Sequence, residues 1–309
     1  MINKLNPLSH EEWLAERRKG IGGSDASAIL GLNPWATPYT LWADKTGRLP
    51  DKPDNEAMRQ GRDLEQYVAE RFMENTSKKV RRKTQMLRNP IYPFAHANVD
   101  RWVVGENAGL ECKTTSVMNL KQFKNGEFPE TYYCQCVHYM AVTGAERWYL
   151  AVLILNQGFH CFTIDRDQDE IDALMGAEQD FWKHVEADAP PPLDGLPVTT
   201  DAIDRIYSNS RVCESPVALY GREKVIQGYL SIKDQIKGME QEKEGYEQIL
   251  KQDLQGNESG ECGNFKVNWK SQTRKTFDTA TYMKEHPGLD LKPYFKETSF
   301  RKFEVKELK

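Results

Sequence analysis

At 309 residues, 39% hydrophobic and 28% charged, the chain can bury one sizeable core and has room for a smaller second unit. Its first residues, Met1-Ile2-Asn3-Lys4-Leu5-Asn6-Pro7, lack the apolar region of a secretory signal, and no stretch approaches the run of about 20 apolar residues that spans a bilayer, so a cytoplasmic protein with no membrane partner is expected. The net charge of −4 is uneven, because residues 262–309 hold 11 Lys/Arg against 6 Asp/Glu, or +5, and residues 1–261 hold −9; any nucleic-acid contact should follow the basic patches rather than the average.

In chain order, the first informative segment is Arg17-Arg18-Lys19-Gly20-Ile21-Gly22-Gly23-Ser24-Asp25, glycines leading into a helix with Ser24 as a strong candidate N-cap. Free amides at such a start, with a basic residue upstream, suit an anion; a plain capped helix is the alternative. The spacing fits neither a Walker loop nor a dinucleotide fingerprint. Residues 55–74 read as a helix behind a cap at Asp54 or Asn55, since Leu64, Val68 and Phe72 recur every four residues. Residues 78–88 then carry Lys78, Lys79, Arg81, Arg82, Lys83 and Arg88 with no acid, either a solvated surface or a phosphate contact.

Two strand-like runs follow, 94–104 and 109–114, joined by Gly105-Glu106-Asn107-Ala108 as a hairpin. Next come a helix over 132–142, strands over 147–155 and 159–164 around Asn156-Gln157-Gly158, and an acidic amphipathic helix over 168–187. The run Ala189-Pro190-Pro191-Pro192 marks the clearest boundary. Beyond it, Val225, Tyr229, Ile232, Ile236, Met239, Lys243, Tyr246 and Leu250 keep a 4-3 spacing with one polar exception, predicting a long helix with a narrow apolar seam. Packing on its own chain is the expected role of that seam, and a self-associating coiled coil is the alternative. The tail reads as two alternating strands, 264–270 and 300–306, around a short segment at 279–286, with Phe265, Val267 and Trp269 facing inward.

The chemistry lies in the hairpin. A strand's period of two sends Leu110 and Cys112 to one face and Glu111 and Lys113 to the other, and Asp100 falls where the hairpin would bring it beside Glu111. Two hard carboxylates suit Mg²⁺, and an adjacent lysine can orient or deprotonate an attacking water and offset charge on a phosphate. A surface cross-strand salt bridge is the plain alternative for any such ExK. The six cysteines form no CxxC pair, which favours reduced thiols over a zinc or iron–sulfur site; His138 reads as a packed imidazole, and no HExxH is present.

The combination of Arg17 with Ile21-Gly22-Gly23-Ser24-Asp25, then Gly61-Arg62-Asp63-Leu64-Glu65, Asp100, Glu111-Cys112-Lys113 and Tyr132-Tyr133-Cys134-Gln135 running to Gly144 resembles the YqaJ-type viral recombinases, relatives of lambda exonuclease in the PD-(D/E)xK nuclease superfamily, over residues 10–190. The resemblance implies an α/β (α+β) restriction-endonuclease-like core, a mixed central sheet flanked by helices. The division expected is a nuclease domain over 1–192, a helical extension over 193–260 and a basic α/β tail over 261–309. It further implies 5′-to-3′ digestion of linear double-stranded DNA with Mg²⁺, Mn²⁺ being an alternative ion, leaving 3′ overhangs for phage-type annealing recombination in a bacterial host cell. A homo-oligomer of the ring-trimer kind and a RecT/Bet-like single-strand annealing protein are the implied partners. By matching positions, Asp100, Glu111 and Glu65 would hold metal, Lys113 would serve the water, and Arg17, Ser24 and Gln135 would bind the 5′-phosphate. Many members carry a second Gln where this chain has Val137. The alternatives are a structure-specific endonuclease on the same core and a non-catalytic DNA-binding scaffold; a Cas4-like enzyme would need a cysteine cluster that is missing.

Overall fold

In the computed structural model, which describes residues 3–4, 10–50, 54–211, 215–286, 288, 290–296, 298 and 300–307, the chain forms two units, Met1–Tyr207 and Ser208–Lys309. The first begins with β1 (Asn3–Lys4), α1 (His10–Arg18) and β2 (Ile21–Gly22), from which α2 (Gly23–Ile29) starts at once. Ser24 is not the N-cap of α2. Gly22 takes that place, and its amide donates to Asp25 Oδ2 at 3.0 Å, the half of a capping box that Asp25 provides three residues into the helix. The glycines permit close approach: a Cβ on Gly22 would lie 2.9 Å from the His96 ring, and one on Gly23 would lie 2.6 Å from the Tyr139 ring.

Helix α3 (Pro38–Lys45) starts from a Thr37–Thr40 capping box with proline in its first turn. Helix α4 (Glu56–Thr76) is capped by Asn55 as expected and buries Val68 and Phe72. The basic segment then divides between two sheets, β3 (Val80–Arg82) and β4 (Leu87–Asn89).

The run expected as one strand over 94–104 is two: β5 (Tyr92–Ala97) and β6 (Arg101–Val103) belong to different sheets. The chain crosses at residues 98–100, and the buried Val99 continues the apolar alternation through the crossing, so hydrophobic period alone hides the switch. β5 runs parallel to β2 and antiparallel to β4. β6 joins β7 (Ala108–Thr115) as an antiparallel pair, which keeps the predicted hairpin, and β7 pairs in parallel with β8 (Arg147–Ile154) across the helix α5 (Glu130–Thr143). β9 (Gly158–Asp165) returns antiparallel to β8 through Asn156, at φ 62°, giving the mixed order β3-β6-β7-β8-β9. α6 (Gln168–Glu186), capped by Asp167, and α7 (Pro197–Ile206) complete the unit.

This sheet is covered on both faces, as the expected class requires. One face packs α4 through Val68, Phe72, Leu110, Tyr149 and Ala151; the other carries the larger core, which takes in α2, α3, α5 and α6. Inside that larger core His138 Nε2 donates to the His96 carbonyl at 2.9 Å and Nδ1 lies 2.8 Å from Glu178 Oε1, sharing a proton with it, a packed imidazole as read from the sequence. Trp148 lies across Gly109, where an added Cβ would sit 2.3 Å from the indole ring. Gly109→Ala should therefore cost about 1–3 kcal/mol by overpacking, seen as a lower melting temperature; an unchanged melt would mean that Trp148 yields freely. The unit extends past the Pro-rich run, since α7 buries Ala202 and Thr199 Oγ1 lies 2.7 Å from Thr37 Oγ1.

The second unit holds α8 (Glu223–Leu254), the hairpin of β10 (Ser259–Cys262) with β11 (Phe265–Asn268), and α9 (Thr279–Glu285). Two expectations fail here. Residues 300–306 form no strand, and Phe265 (77% exposed) and Trp269 (49%) face outward, because among the described residues β11 pairs only with β10, in a two-stranded ribbon. Among the described residues no helix is long and apolar enough to cross a membrane, and the five described cysteines are free; Cys213 lies outside the described residues.

Candidate active site

Strand β7 sets the site. Its pleat sends Leu110 under α4 and turns Glu111 and Lys113 toward α5, where Lys113 Nζ stands 2.7 Å from Glu111 Oε1. Gln135 on α5 closes the group: its Oε1 accepts from Lys113 Nζ at 2.8 Å, and its Nε2 donates to Glu111 Oε1 at 2.7 Å and to the Tyr139 hydroxyl at 3.0 Å. Asp100 enters from the turn before β6, with Oδ2 accepting from the Cys112 amide at 2.8 Å. Of the residues predicted for chemistry, Asp100, Glu111, Lys113 and Gln135 are thus brought together.

Glu65 is placed differently. It reaches in from α4 and accepts from Arg101 Nη1, while Arg101 Nη2 donates to Gln66 at 2.9 Å. Arg101 is a residue the sequence reading missed. It directly follows Asp100 and so must point to the opposite face, toward α4, which was the available signal. Among the described residues no three His, Cys, Asp or Glu side chains are gathered as a metal-holding group.

The electrostatics of the pocket nevertheless suit a cation. Burial, with the Glu111 and Glu65 carboxylates nearby, holds the Asp100 carboxyl well above the usual carboxylate range. Glu111 Oε2 is buried without a hydrogen-bond partner. A divalent ion between these carboxylates would relieve both, and Mg²⁺ commonly uses only one or two protein carboxylates, taking its other ligands from water and phosphate. Burial alone would lower the pKa of Lys113, but the Glu111 carboxylate and its hydrogen bond override that and hold the ammonium above the ordinary lysine range. Tyr132 adds its ring, with the Lys113 nitrogen 5.3 Å from the centroid.

The second predicted group, at the start of α2, is also assembled. Arg17 Nη2 donates to Ser24 Oγ at 3.1 Å, and Ser24 is exposed. Asp25, unremarked in the sequence as a partner, receives Lys45 Nζ at 2.7 Å and lies 3.5 Å from the Arg17 guanidinium. Burial pushes the Asp25 pKa up, but Lys45 and Arg17 hold it well below the carboxylate range, so the side chain is a fixed anion that steadies Arg17. A Cβ on Gly23 would lie 3.0 Å from Gln135 Cγ, so the start of α2 and the β7 cluster meet at that side chain. In the basic segment, Lys78 pairs with Glu106 and Arg88 with Glu16, whereas Arg81 is exposed, Arg82 is exposed with its guanidinium 3.9 Å from Glu65, and the Lys83 nitrogen lies 4.8 Å from the centre of the Trp102 ring.

A mixed sheet covered by helices, with Glu111 and Lys113 side by side on β7 and Asp100 beside them in the turn before β6, defines a mixed α/β protein with a carboxylate and lysine cluster at its sheet. The YqaJ-like viral recombinase domain matches residues 12–146. The protein YqaJ of Bacillus subtilis (strain 168), itself uncharacterized, is 41% identical over 312 residues, covering 100% of this chain and 98% of its own. The chain belongs to the YqaJ-like viral recombinase domain family. Among solved structures, the alkaline exonuclease LHK-Exo from Laribacter hongkongensis is 22% identical with a TM-score of 0.50, over 58% of this chain and 93% of that one. Its complex with dAMP matches with the same figures. That likeness is one of fold.

Proposed function

We propose that the chain is a metal-dependent exonuclease that degrades linear double-stranded DNA from 5′ ends and leaves 3′ single-stranded overhangs for annealing recombination. The observation that carries this reading is the cluster of Asp100, Glu111, Lys113 and Gln135, with Glu111 Oε2 buried and unpartnered. Asp100 and Glu111 would hold Mg²⁺, or Mn²⁺ in its place, and Glu65 would support them from α4. When bound, the ion supplies Lewis-acid polarisation of the scissile phosphate.

The chain's own groups do the rest. Lys113 has three N–H donors; Glu111 and Gln135 take two, which aims the third at an attacking water or a phosphate oxygen. The cation thus orients the nucleophile and offsets charge as water adds to phosphorus and the ester oxygen leaves. Gln135 holds Lys113 and Glu111 at fixed spacing, and Tyr139 orients Gln135. Arg17 and Ser24, adjoining Gln135 through the start of α2, would receive the terminal 5′-phosphate and so place the next phosphodiester over the carboxylates. Exposed Arg81 and Arg82 are candidates for backbone contacts on the duplex. A homo-oligomer of the ring-trimer kind and a single-strand annealing protein fit the same scheme as partners, the first retaining the duplex and the second taking the exposed strand.

The terminal-phosphate part has its own test. A 5′-phosphorylated linear duplex should be digested faster than a 5′-hydroxyl one, and Arg17→Ala should cut that preference roughly tenfold, the scale of one lost charge-assisted hydrogen bond. Equal rates on the two substrates would remove the phosphate site. Equal rates on linear and closed circular duplex would favour a structure-specific endonuclease instead.

A further inference from the structure

Helix α8 leaves its seam uncovered. Ile232, Ile236, Met239, Tyr246 and Leu250 are all exposed, by 45–67%; among the described residues Phe303 stands edge-on to Tyr229 at the amino-terminal end, and Leu254, past the seam at the other end, is buried beside Gly260 of β10. The expectation that the seam packs on its own chain therefore fails within this unit. The helix is 32 residues long, and an exposed apolar stripe sustained over four heptads needs a partner of matching shape.

The charges beside the seam select that partner. With Tyr229, Ile236, Lys243 and Leu250 as a positions and Val225, Ile232, Met239 and Tyr246 as d positions, the e positions are Ile226, Lys233, Glu240 and Glu247, and the g positions are Gly228, Gln235, Glu242 and Ile249. A parallel second copy in register would set Lys243 against Lys243 once, in the core, and Glu242 against Glu247 twice. An antiparallel copy with Ile236 opposite Met239 sets Lys233 against Glu240 twice and brings no like charges together. Sliding that antiparallel pair by one heptad either way sets Lys233 against Lys233 or Glu240 against Glu240, so the pattern fixes register as well as direction. Within the chain, Lys243, Lys251, Glu244 and Glu247 are already paired along the helix, whereas among the described residues neither Lys233 nor Glu240 makes an ion pair.

We propose that the exposed seam of α8 is a homodimer interface, in which a second copy of this chain packs antiparallel with Ile236 opposite Met239 and Lys233 opposite Glu240. The interface is two-fold and isologous, so each charge pair occurs twice. It sits outside the nuclease unit and is independent of the catalytic reading.

Sedimentation of the full chain over a concentration series tests this with four variants. Ile236→Asp should abolish the step that doubles the mass through α8, while leaving in place any ring oligomer built by the nuclease unit. Lys233→Glu and Glu240→Lys should each weaken it by about tenfold, since two attractive pairs become two repulsive ones. The double variant Lys233→Glu/Glu240→Lys should recover it to within about threefold of the unaltered chain. A mass-doubling step that ignores Ile236→Asp or is missing from the unaltered chain, single reversals without effect, or a double swap that fails to restore that step would each overturn the proposal, the last pointing to a different protein as occupant.

Discussion

Asp100→Ala and Lys113→Ala each reduce cleavage of linear duplex by roughly 10²–10³-fold or more, the scale of removing one group that stabilises developing charge in a closed site. Asp100 lies with the buried carboxylate of Glu111, and Lys113, held by Glu111 and Gln135, reaches at most the single phosphate being cleaved, so the exposed Arg81 and Arg82 remain for the duplex and binding should persist. The two variants should differ in stability. Asp100→Ala takes away one of three neighbouring carboxylates and relieves repulsion, whereas Lys113→Ala strands Glu111, only 3% exposed. The Lys113 variant should therefore lose up to about 3 kcal/mol, toward the low end for a broken buried pair because the lysine is partly solvated. Added divalent ion should recover part of that loss by taking the place of the ammonium beside Glu111. Ca²⁺ should support binding with little cleavage, because its looser coordination misplaces the nucleophile. Near-normal turnover by either variant would remove these residues from the chemistry.

The largest stability effect is expected away from the site. His138 and Glu178 are both 0% exposed, and each imidazole nitrogen faces an acceptor, the Glu178 carboxylate and the His96 carbonyl. One shared proton must serve this pair. Burial opposes the charged imidazole, but Glu178 and the His96 carbonyl outweigh it and raise the His138 pKa. Glu178→Ala leaves a buried imidazole without its counter-charge, and His138→Ala leaves a buried carboxylate; each should cost about 3–5 kcal/mol. In chemical denaturation the double variant should cost much less than the sum of the two, as expected of groups in direct contact. Losses under about 1 kcal/mol would mean that water or a neighbour takes over the partner's place.

The parts of the site that were legible in the sequence are those governed by a short period. The pleat places Glu111 and Lys113 on one face, and their 2.7 Å contact follows from alternate spacing on β7. The four-residue recurrence of Val68 and Phe72 marks the face of α4 that packs under Leu110. Features set by tertiary approach left no such mark. The glycines before α2 suggested a side-chain cap at Ser24, but they admit the His96 and Tyr139 rings, and Gly22 caps the helix by backbone alone. Lys45 is buried against Asp25, a pairing across the first unit that no spacing encodes. Gln135 was assigned to the terminal phosphate by resemblance, yet it binds Lys113 and Glu111 directly, because a helix glutamine facing β7 reaches the strand's polar face first. In the tail, alternation of apolar residues suggested strands, but alternation marks burial only where a second layer covers the sheet, and β10 with β11 form a bare ribbon.

Time-resolved digestion of linear duplex labelled separately at each strand end, with and without Mg²⁺, tests the central claim most directly. Early loss of the 5′ labels, long retention of the 3′ labels on growing overhangs, and no digestion without a divalent ion are expected. Cleavage that proceeds in chelator, or that releases internal fragments before either end label, would contradict it.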